Sequence, residues 1–289
     1  MTLTGLNREL QKLAGTCRRS LEEIRFRRGA LLCSRYRIER RLGGGSYGVA
    51  YLCRDLHTLE PCVLKRISPV RGGRRRTEAI YAAERDALRM LGHPAIPKLL
   101  DTFRHGSQPV IVMTHMPGET LEKLLFGDGR VFTEREALRI VLQLLPLLAH
   151  MHARGLYHRD IGIANVLLDG NDVRLIDFGL SRRAGDGDNA AFEGSDGGDR
   201  ESDEPIEKRL RRRLHPSGDL YGLGHLLLFL LYSGYRGGSD GDRGWEEELS
   251  LHPRTTKLLR RLLQAEQPYG SSGEAAADAA AILPFLETD

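Results

Sequence analysis

Cysteine is scarce in this chain: Cys17, Cys33, Cys53 and Cys62 are its four, and no two of them form a C-x-x-C pair. That argues against a structural zinc site or a disulfide framework and points to reduced cytosolic thiols. Long apolar runs are missing too. The most apolar stretch, Leu226–Tyr232, is far too short to cross a bilayer. The N-terminus is charged throughout and has no apolar core of a secretory signal, so a cytoplasmic protein is expected. No internal repeat is present. Neither sign of charge dominates: 43 Lys and Arg face 39 Asp and Glu over 289 residues, and the 40% hydrophobic content supports a packed core.

What charge there is lies unevenly. Residues 1–41 hold eleven Lys or Arg against four Glu, whereas 185–205 hold eight Asp or Glu against one Arg, with Lys208, Arg209, Arg211, Arg212 and Arg213 directly after. Such polarity invites a nucleic-acid partner, but no recognition module accompanies it, which argues against that reading. Leu3, Leu6, Leu10, Leu13, Cys17, Leu21 and Ile24 recur at helical spacing, so residues 1–34 form a basic amphipathic extension ending near Gly29. Its apolar face docks on the main domain or drives self-association.

Strand patterns follow over Tyr36–Leu42, Val49–Arg54 and Pro61–Ile67, then a basic loop from Arg71, a helix over Glu78–Leu91, and strands at Leu99–Phe103 and Val110–Thr114. Beyond Pro117-Gly118 the chain turns helical. Thr133 and Glu136 form a capping box before a helix reaching Ala153, in which Pro146 predicts a kink or break. Val166–Leu168 and Val173–Ile176 flank a turn and predict a hairpin. Residues 185–205 lack the apolar content to order themselves. Asp219–Tyr232 is apolar nearly all round and predicts a buried helix; two more follow at Thr255–Ala265 and Glu274–Leu286.

Three features carry chemistry. Gly43-Gly44-Gly45-Ser46-Tyr47-Gly48 fits G-x-G-x-x-G between two strands, where glycines let a backbone approach phosphate oxygens. A dinucleotide fingerprint would open a helix instead. Lys65 sits on the third strand, with Glu84 as a candidate acidic partner on the next helix. Finally His158-Arg159-Asp160, Asn165 and Asp177-Phe178-Gly179 bracket the hairpin. Hard oxygen ligands of this kind suit Mg²⁺ carrying nucleotide phosphates, and a further aspartate suits accepting a proton from a hydroxyl.

This ordered set resembles the protein kinase family over about residues 36–286, in particular the short bacterial Ser/Thr kinases. The resemblance implies an α+β, two-lobed fold: a small β-rich N-lobe with its hinge at 35–116 and a larger, mainly helical C-lobe at 117–289, with an activation segment at 177–218. It implies that Leu42, Gly43, Gly45, Gly48, Ala50 and Val63 surround ATP. Lys65 would hold the α- and β-phosphates and pair with Glu84. Met113 would be the gatekeeper, Thr114, His115 and Met116 the hinge, and Leu167 part of the adenine floor. Asp160 would be the catalytic base, Asn165 and Asp177 the Mg²⁺ ligands, and Asp219 would lie beneath the catalytic loop. ATP, Mg²⁺ and a protein substrate are the implied ligands.

The departures matter as well. Ala50 and Val63 exchange small for large against the family pattern at similar total volume. Gly162 stands where Ser/Thr kinases carry a lysine, and Ala164 where tyrosine kinases carry an arginine; Arg182 or Arg183 is a candidate substitute. No Ala-Pro-Glu closes the activation segment, and Gln267-Pro268-Tyr269-Gly270 replaces its usual arginine partner. The alternatives are a pseudokinase acting as a nucleotide-binding scaffold, and a small-molecule kinase.

Overall fold

The computed structural model describes residues 26–45, 47–69, 73–186, 205–237 and 243–286. The expected helix over Leu3–Ile24 and most of the acidic stretch lie outside them. The chain divides into two compact units, Met1–Pro69 with Leu100–His115, and Val70–Leu99 with Met116–Asp289.

The first unit is a six-stranded sheet. Its strands are β1 (Leu31–Leu32), β2 (Tyr36–Gly44), β3 (Gly48–Asp55), β4 (Pro61–Ile67), β5 (Leu99–His105) and β6 (Gln108–Thr114), ordered β1-β2-β3-β4-β6-β5. Side chains alternate along a strand, and residues opposite each other in an antiparallel pair share a face. Register therefore sorts the sheet into two faces. Ile38 opposes Cys53, Cys53 opposes Cys62, and Leu64 opposes both Tyr51 and Val112. These residues form one apolar cluster with Phe26, Leu32, Tyr36 and Val110, all buried. Phe26 stacks on Tyr51 at 5.4 Å and lies under the Arg66 guanidinium at 4.9 Å. Burying one such ring contributes about 1.5–3 kcal/mol. Phe26 and β1 thus join the segment before Tyr36 to the sheet, which periodicity over two residues does not reveal.

The second unit contains helices α1 (Gly73–Met90), α2 (Glu134–His152), α3 (Ile206–Arg211), α4 (Pro216–Tyr232), α5 (Trp245–Glu248), α6 (Pro253–Leu262) and α7 (Ser272–Ala280). Strands β9 (Val166–Asp169) and β10 (Asp172–Leu175) pair as a two-residue hairpin turning at Gly170, whose φ is +59°. The short strand β7 (Glu119–Thr120) extends it by pairing with β9, and β8 (Leu156–Tyr157) and β11 (Arg182–Arg183) pair with each other as a separate two-stranded sheet.

The Thr133–Glu136 capping box is present in both directions, a device contributing about 1 kcal/mol. Of the kink or break expected at Pro146, the break does not occur: α2 runs through it, with Leu144, Leu145, Leu147 and Leu148 buried on either side. Packing outweighs the one lost hydrogen bond. Helix α1 begins at Gly73, so Arg74–Arg76 are helical rather than loop; arginine is a good helix former. The last helix stops at Ala280 and gives way to a 3₁₀ turn over Leu283–Phe285, which contains Pro284. The α3 helix is unforeseen: it is six residues long, and its two apolar residues, Ile206 and Leu210, make a single i, i+4 pair too short to read as a period.

Helix α4 is buried over most of its length, and glycines bring other backbone against it. A Cβ on Gly222 would stand 2.9 Å from the Ile161 carbonyl oxygen, and one on Gly218 2.9 Å from that of Arg213. The loop that follows β8 therefore lies directly on the α4 backbone.

Candidate active site

Within the first unit, the second face of the sheet collects the residues singled out by sequence. Gly43 opposes Ala50, Ala50 opposes Lys65, and Val63 opposes Met113. All five fall on the face away from the apolar cluster. Lys65 is buried, 8% exposed. Leu42 is more open, at a register shift between Arg41 and Gly43. Thr114 pairs with Cys62 at the end of β6. Burial, and then the nearby Arg40 charge, push the His115 imidazole below its ordinary value, so the ring is neutral at pH 7.

The glycines of the turn are not equivalent. A Cβ on Gly48 would come within 2.5 Å of the Arg66 carbonyl oxygen, so packing alone requires glycine there. A Cβ on Gly43 or Gly45 would meet nothing within 4 Å, and neither has a positive φ. These two leave open space in front of the backbone, which suits a close-approaching ligand.

Within the second unit, the hairpin sets the oxygen ligands side by side. Val166 opposes Leu175, so Asn165 and Asp177 flank the open end, and the Ile176 N–H donates to the Asn165 carbonyl at 2.9 Å. Asn165 Nδ2 donates to the Asp160 carboxylate at 3.0 Å and to its carbonyl at 2.9 Å. One side chain thus ties the loop aspartate to the hairpin. The Asn165 amide oxygen and the Asp177 carboxylate are hard oxygen donors and fit a divalent cation such as Mg²⁺. Among the described residues no group of three or more His, Cys, Asp or Glu offers a different metal site. Gly179 packs against α1, where its Cβ would lie 3.1 Å from Ile80 Cγ2 and 3.7 Å from Glu84 Oε2. This places Glu84 beside the Asp177-Phe178-Gly179 turn. Leu167 is buried on β9, opposite Thr120, and Met116 begins the second run of this unit.

The loop is held from below by Asp219. This fully buried carboxylate accepts the His158 N–H at 2.9 Å, the Arg159 N–H at 2.7 Å and His152 Nε2 at 2.9 Å. Burial alone would raise its pKa. His152, His158 and the loop N–H groups outweigh that and hold it below the ordinary value. Arg159 has φ +65° and Asp177 φ +64°. A non-glycine residue pays on the order of 1 kcal/mol or more for that conformation, and it persists where neighbours over-determine it. For Arg159 those neighbours are Asp219 and the Arg212 carbonyl, which accepts from Arg159 Nε at 2.8 Å. His152 reaches on to Ser272 Oγ at 3.1 Å. Sequence reasoning missed His152 and Gly222, because a lone histidine or glycine inside a helix carries no spacing signal.

Arg182 lies beside Arg159. Burial, with Arg159 adding to it, lowers its guanidinium to about 10. Arg182 also lines a cavity of about 560 Å³ with Ala79, Ala83 and Ala87 of α1. Arg183 is exposed, and its N–H donates to Asp186. Tyr269, standing where the arginine partner was sought, is buried beneath the Arg261 guanidinium at 3.8 Å and donates to Asp278 at 2.9 Å. Arg261 in turn bonds Asp278 and Glu274, so this corner is closed by its own ion pairs.

The sequence model of the protein kinase domain matches residues 36–236. The probable serine/threonine-protein kinase YbdM of Bacillus subtilis is 34% identical over 244 residues, 84% of this chain and 88% of its own. Serine/threonine-protein kinase F of Synechocystis is 32% identical over 222 residues, 70% of this chain and 44% of its own. Among solved structures, the PknI kinase domain of Mycobacterium tuberculosis shares the fold with a TM-score of 0.65 at 23% identity, over 85% of this chain and 94% of that one. This chain belongs to the protein kinase family, with that family's α+β fold of a β-sheet unit and a mainly helical unit. Among the described residues no helix is long and apolar enough to cross a membrane.

Proposed function

We propose that this protein transfers the γ-phosphoryl group of ATP to serine or threonine hydroxyls of other proteins, with Mg²⁺. The observation that carries this reading is the trio Asp160, Asn165 and Asp177, held on one loop and one hairpin end by Asp219 and the Asn165 amide. The names of the relatives support the Ser/Thr acceptor.

Each residue has a defined task. Asp160 accepts the hydroxyl proton as the acceptor oxygen attacks phosphorus. Asn165 orients that carboxylate through its NH₂ group and offers its amide oxygen, with Asp177, to the cation. A divalent ion held there would neutralise phosphate charge. Lys65 binds the α- and β-phosphates, paired with Glu84. Gly43 and Gly45 let backbone N–H groups approach the phosphates, and Gly48 closes the turn on β4. Leu42, Ala50, Val63, Met113 and Leu167 hold the adenine, and the Thr114–Met116 backbone bonds its edge.

Gly162 removes a cation that would meet the transferring phosphoryl group, a loss that slows transfer without abolishing it. Arg182 is the other cation the sequence offers nearby, and burial lowers its guanidinium. The test is intact mass after incubation with Mg-ATP, comparing wild type with Asp160→Asn and including a generic protein acceptor. Wild type should add phosphate to Ser or Thr, and Asp160→Asn should be slower by about 10²–10⁴-fold. Equal incorporation by both proteins would remove Asp160 from its role.

A further inference from the structure

The notable feature of the surface that flanks the catalytic loop is its charge. Between Pro205 and His215 the chain carries Lys208, Arg209, Arg211, Arg212 and Arg213 against a single carboxylate, Glu207. Lys208, Arg209 and Arg213 are exposed, and Arg211 and Arg212 are half-buried. The segment is fixed relative to the reacting groups. The Arg212 carbonyl accepts Arg159 Nε at 2.8 Å, and Arg159 is covalently next to Asp160. On its other side the segment packs on Gly218 of α4, and Arg213 bonds Gln264 at 3.3 Å. The sequence also carries the complementary chemistry, in Glu193-Gly194-Ser195-Asp196 and Glu201-Ser202-Asp203-Glu204.

We propose that the basic segment Lys208–Arg213 selects acceptor proteins whose serine or threonine is flanked by acidic residues. This inference rests on the kinase reading of the same site and names its substrate class. Exposed cations attract an acidic peptide at long range and fix its register. Each pair contributes modestly, so several must act together to discriminate. A nucleic acid is the other polyanion such a surface attracts. It is disfavoured because the segment sits beside a loop that, on the kinase reading, deprotonates a hydroxyl.

The experiment uses the full chain and two serine peptides identical except for flanks of Glu and Asp or of Gln. Transfer to each is measured, together with fluorescence anisotropy of labelled versions carrying Ala in place of Ser. The acid-flanked peptide should have roughly tenfold higher kcat/KM, chiefly through KM, and bind tighter by a similar factor. Added salt should shrink both differences. Lys208→Glu with Arg209→Glu should erase the preference and leave transfer to the Gln-flanked peptide unchanged. Lys208→Ala with Arg209→Ala, a milder change at the same exposed positions, should reduce it in part. Equal use and equal binding of the two peptides overturns the proposal, as does a single-stranded oligonucleotide that binds this segment while the acidic peptide does not. Selective binding without transfer to any acceptor would keep the surface and sink the kinase reading. Transfer without selectivity would do the reverse.

Discussion

The glycine-rich turn of the first unit and the catalytic loop of the second solve opposite problems. Among the described residues the turn from Gly43 to Gly48 is closed by backbone pairing, Gly45 N–H to the Gly48 carbonyl at 2.9 Å and Ser68 N–H to that of Tyr47 at 3.0 Å. Two of its glycines face open space. The loop from His158 to Asn165 is pinned instead by a buried carboxylate, a guanidinium and an amide, and it tolerates a left-handed arginine. Few side-chain bonds leave a turn free to follow what it binds, whereas many fix the position of Asp160.

The largest expected effect is on the pinned side. Asp219→Ala leaves two buried N–H groups and His152 without their acceptor. It should destabilise the protein by about 3–5 kcal/mol, read as a lower denaturant midpoint. If the midpoint shifts by less than about 1 kcal/mol, Asp219 is not what holds the loop.

Next come the two kinds of glycine. Gly48→Ala drives a Cβ into a backbone carbonyl and should cost about 1–3 kcal/mol. Gly45→Ala meets nothing and should leave stability within about 0.5 kcal/mol while raising the KM for ATP. Equal destabilisation by both would erase the distinction between a packing glycine and a ligand-facing one.

Much of this contrast was legible in the sequence. Asp160, Asn165 and Asp177 stand out because strongly polar residues bracket an apolar hairpin, and the hairpin is present with the expected turn. Lys65 and Val63 fall on one face because alternation along a strand is fixed by stereochemistry. Asp219 was legible only through the family, since an aspartate opening a helix is common. What remained hidden depends on contacts between segments far apart in the chain. Phe26 finds Tyr51, His152 finds Ser272, and Gly222 meets Ile161 only after folding. The unbroken α2 belongs here too, because local propensity at Pro146 is overridden by burial that the local pattern does not display.

Position 162 sharpens the comparison inside the pinned loop itself. A Cβ there meets nothing within 4 Å and the backbone has no positive φ, so neither packing nor conformation demands glycine. Gly162→Lys should therefore leave stability unchanged. If the missing cation limits phosphoryl transfer, it should raise kcat about tenfold, equivalent to about 1.4 kcal/mol of barrier. An unchanged kcat in a stable variant would show that the chain's own cations already meet the need.

The smallest effect tests whether the sheet unit has a pinning carboxylate of its own. Asp55 accepts Arg35 Nε at 2.9 Å and Nη2 at 2.7 Å, and the His57 N–H at 3.0 Å. The Arg35 hydrogen bonds hold its carboxyl well below the ordinary range, against the opposing pull of burial. The folded state therefore binds fewer protons at Asp55 than the unfolded state does. Its contribution is present above the unfolded value near 4 and is lost as pH falls below it. Asp55→Asn should cost about 1 kcal/mol at pH 7, since Arg35 is partly exposed, and progressively less below pH ~4. Denaturation of both proteins across that range reads the difference directly. A gap that stays constant as the pH falls would mean that Asp55 serves through its shape rather than its charge, unlike Asp219.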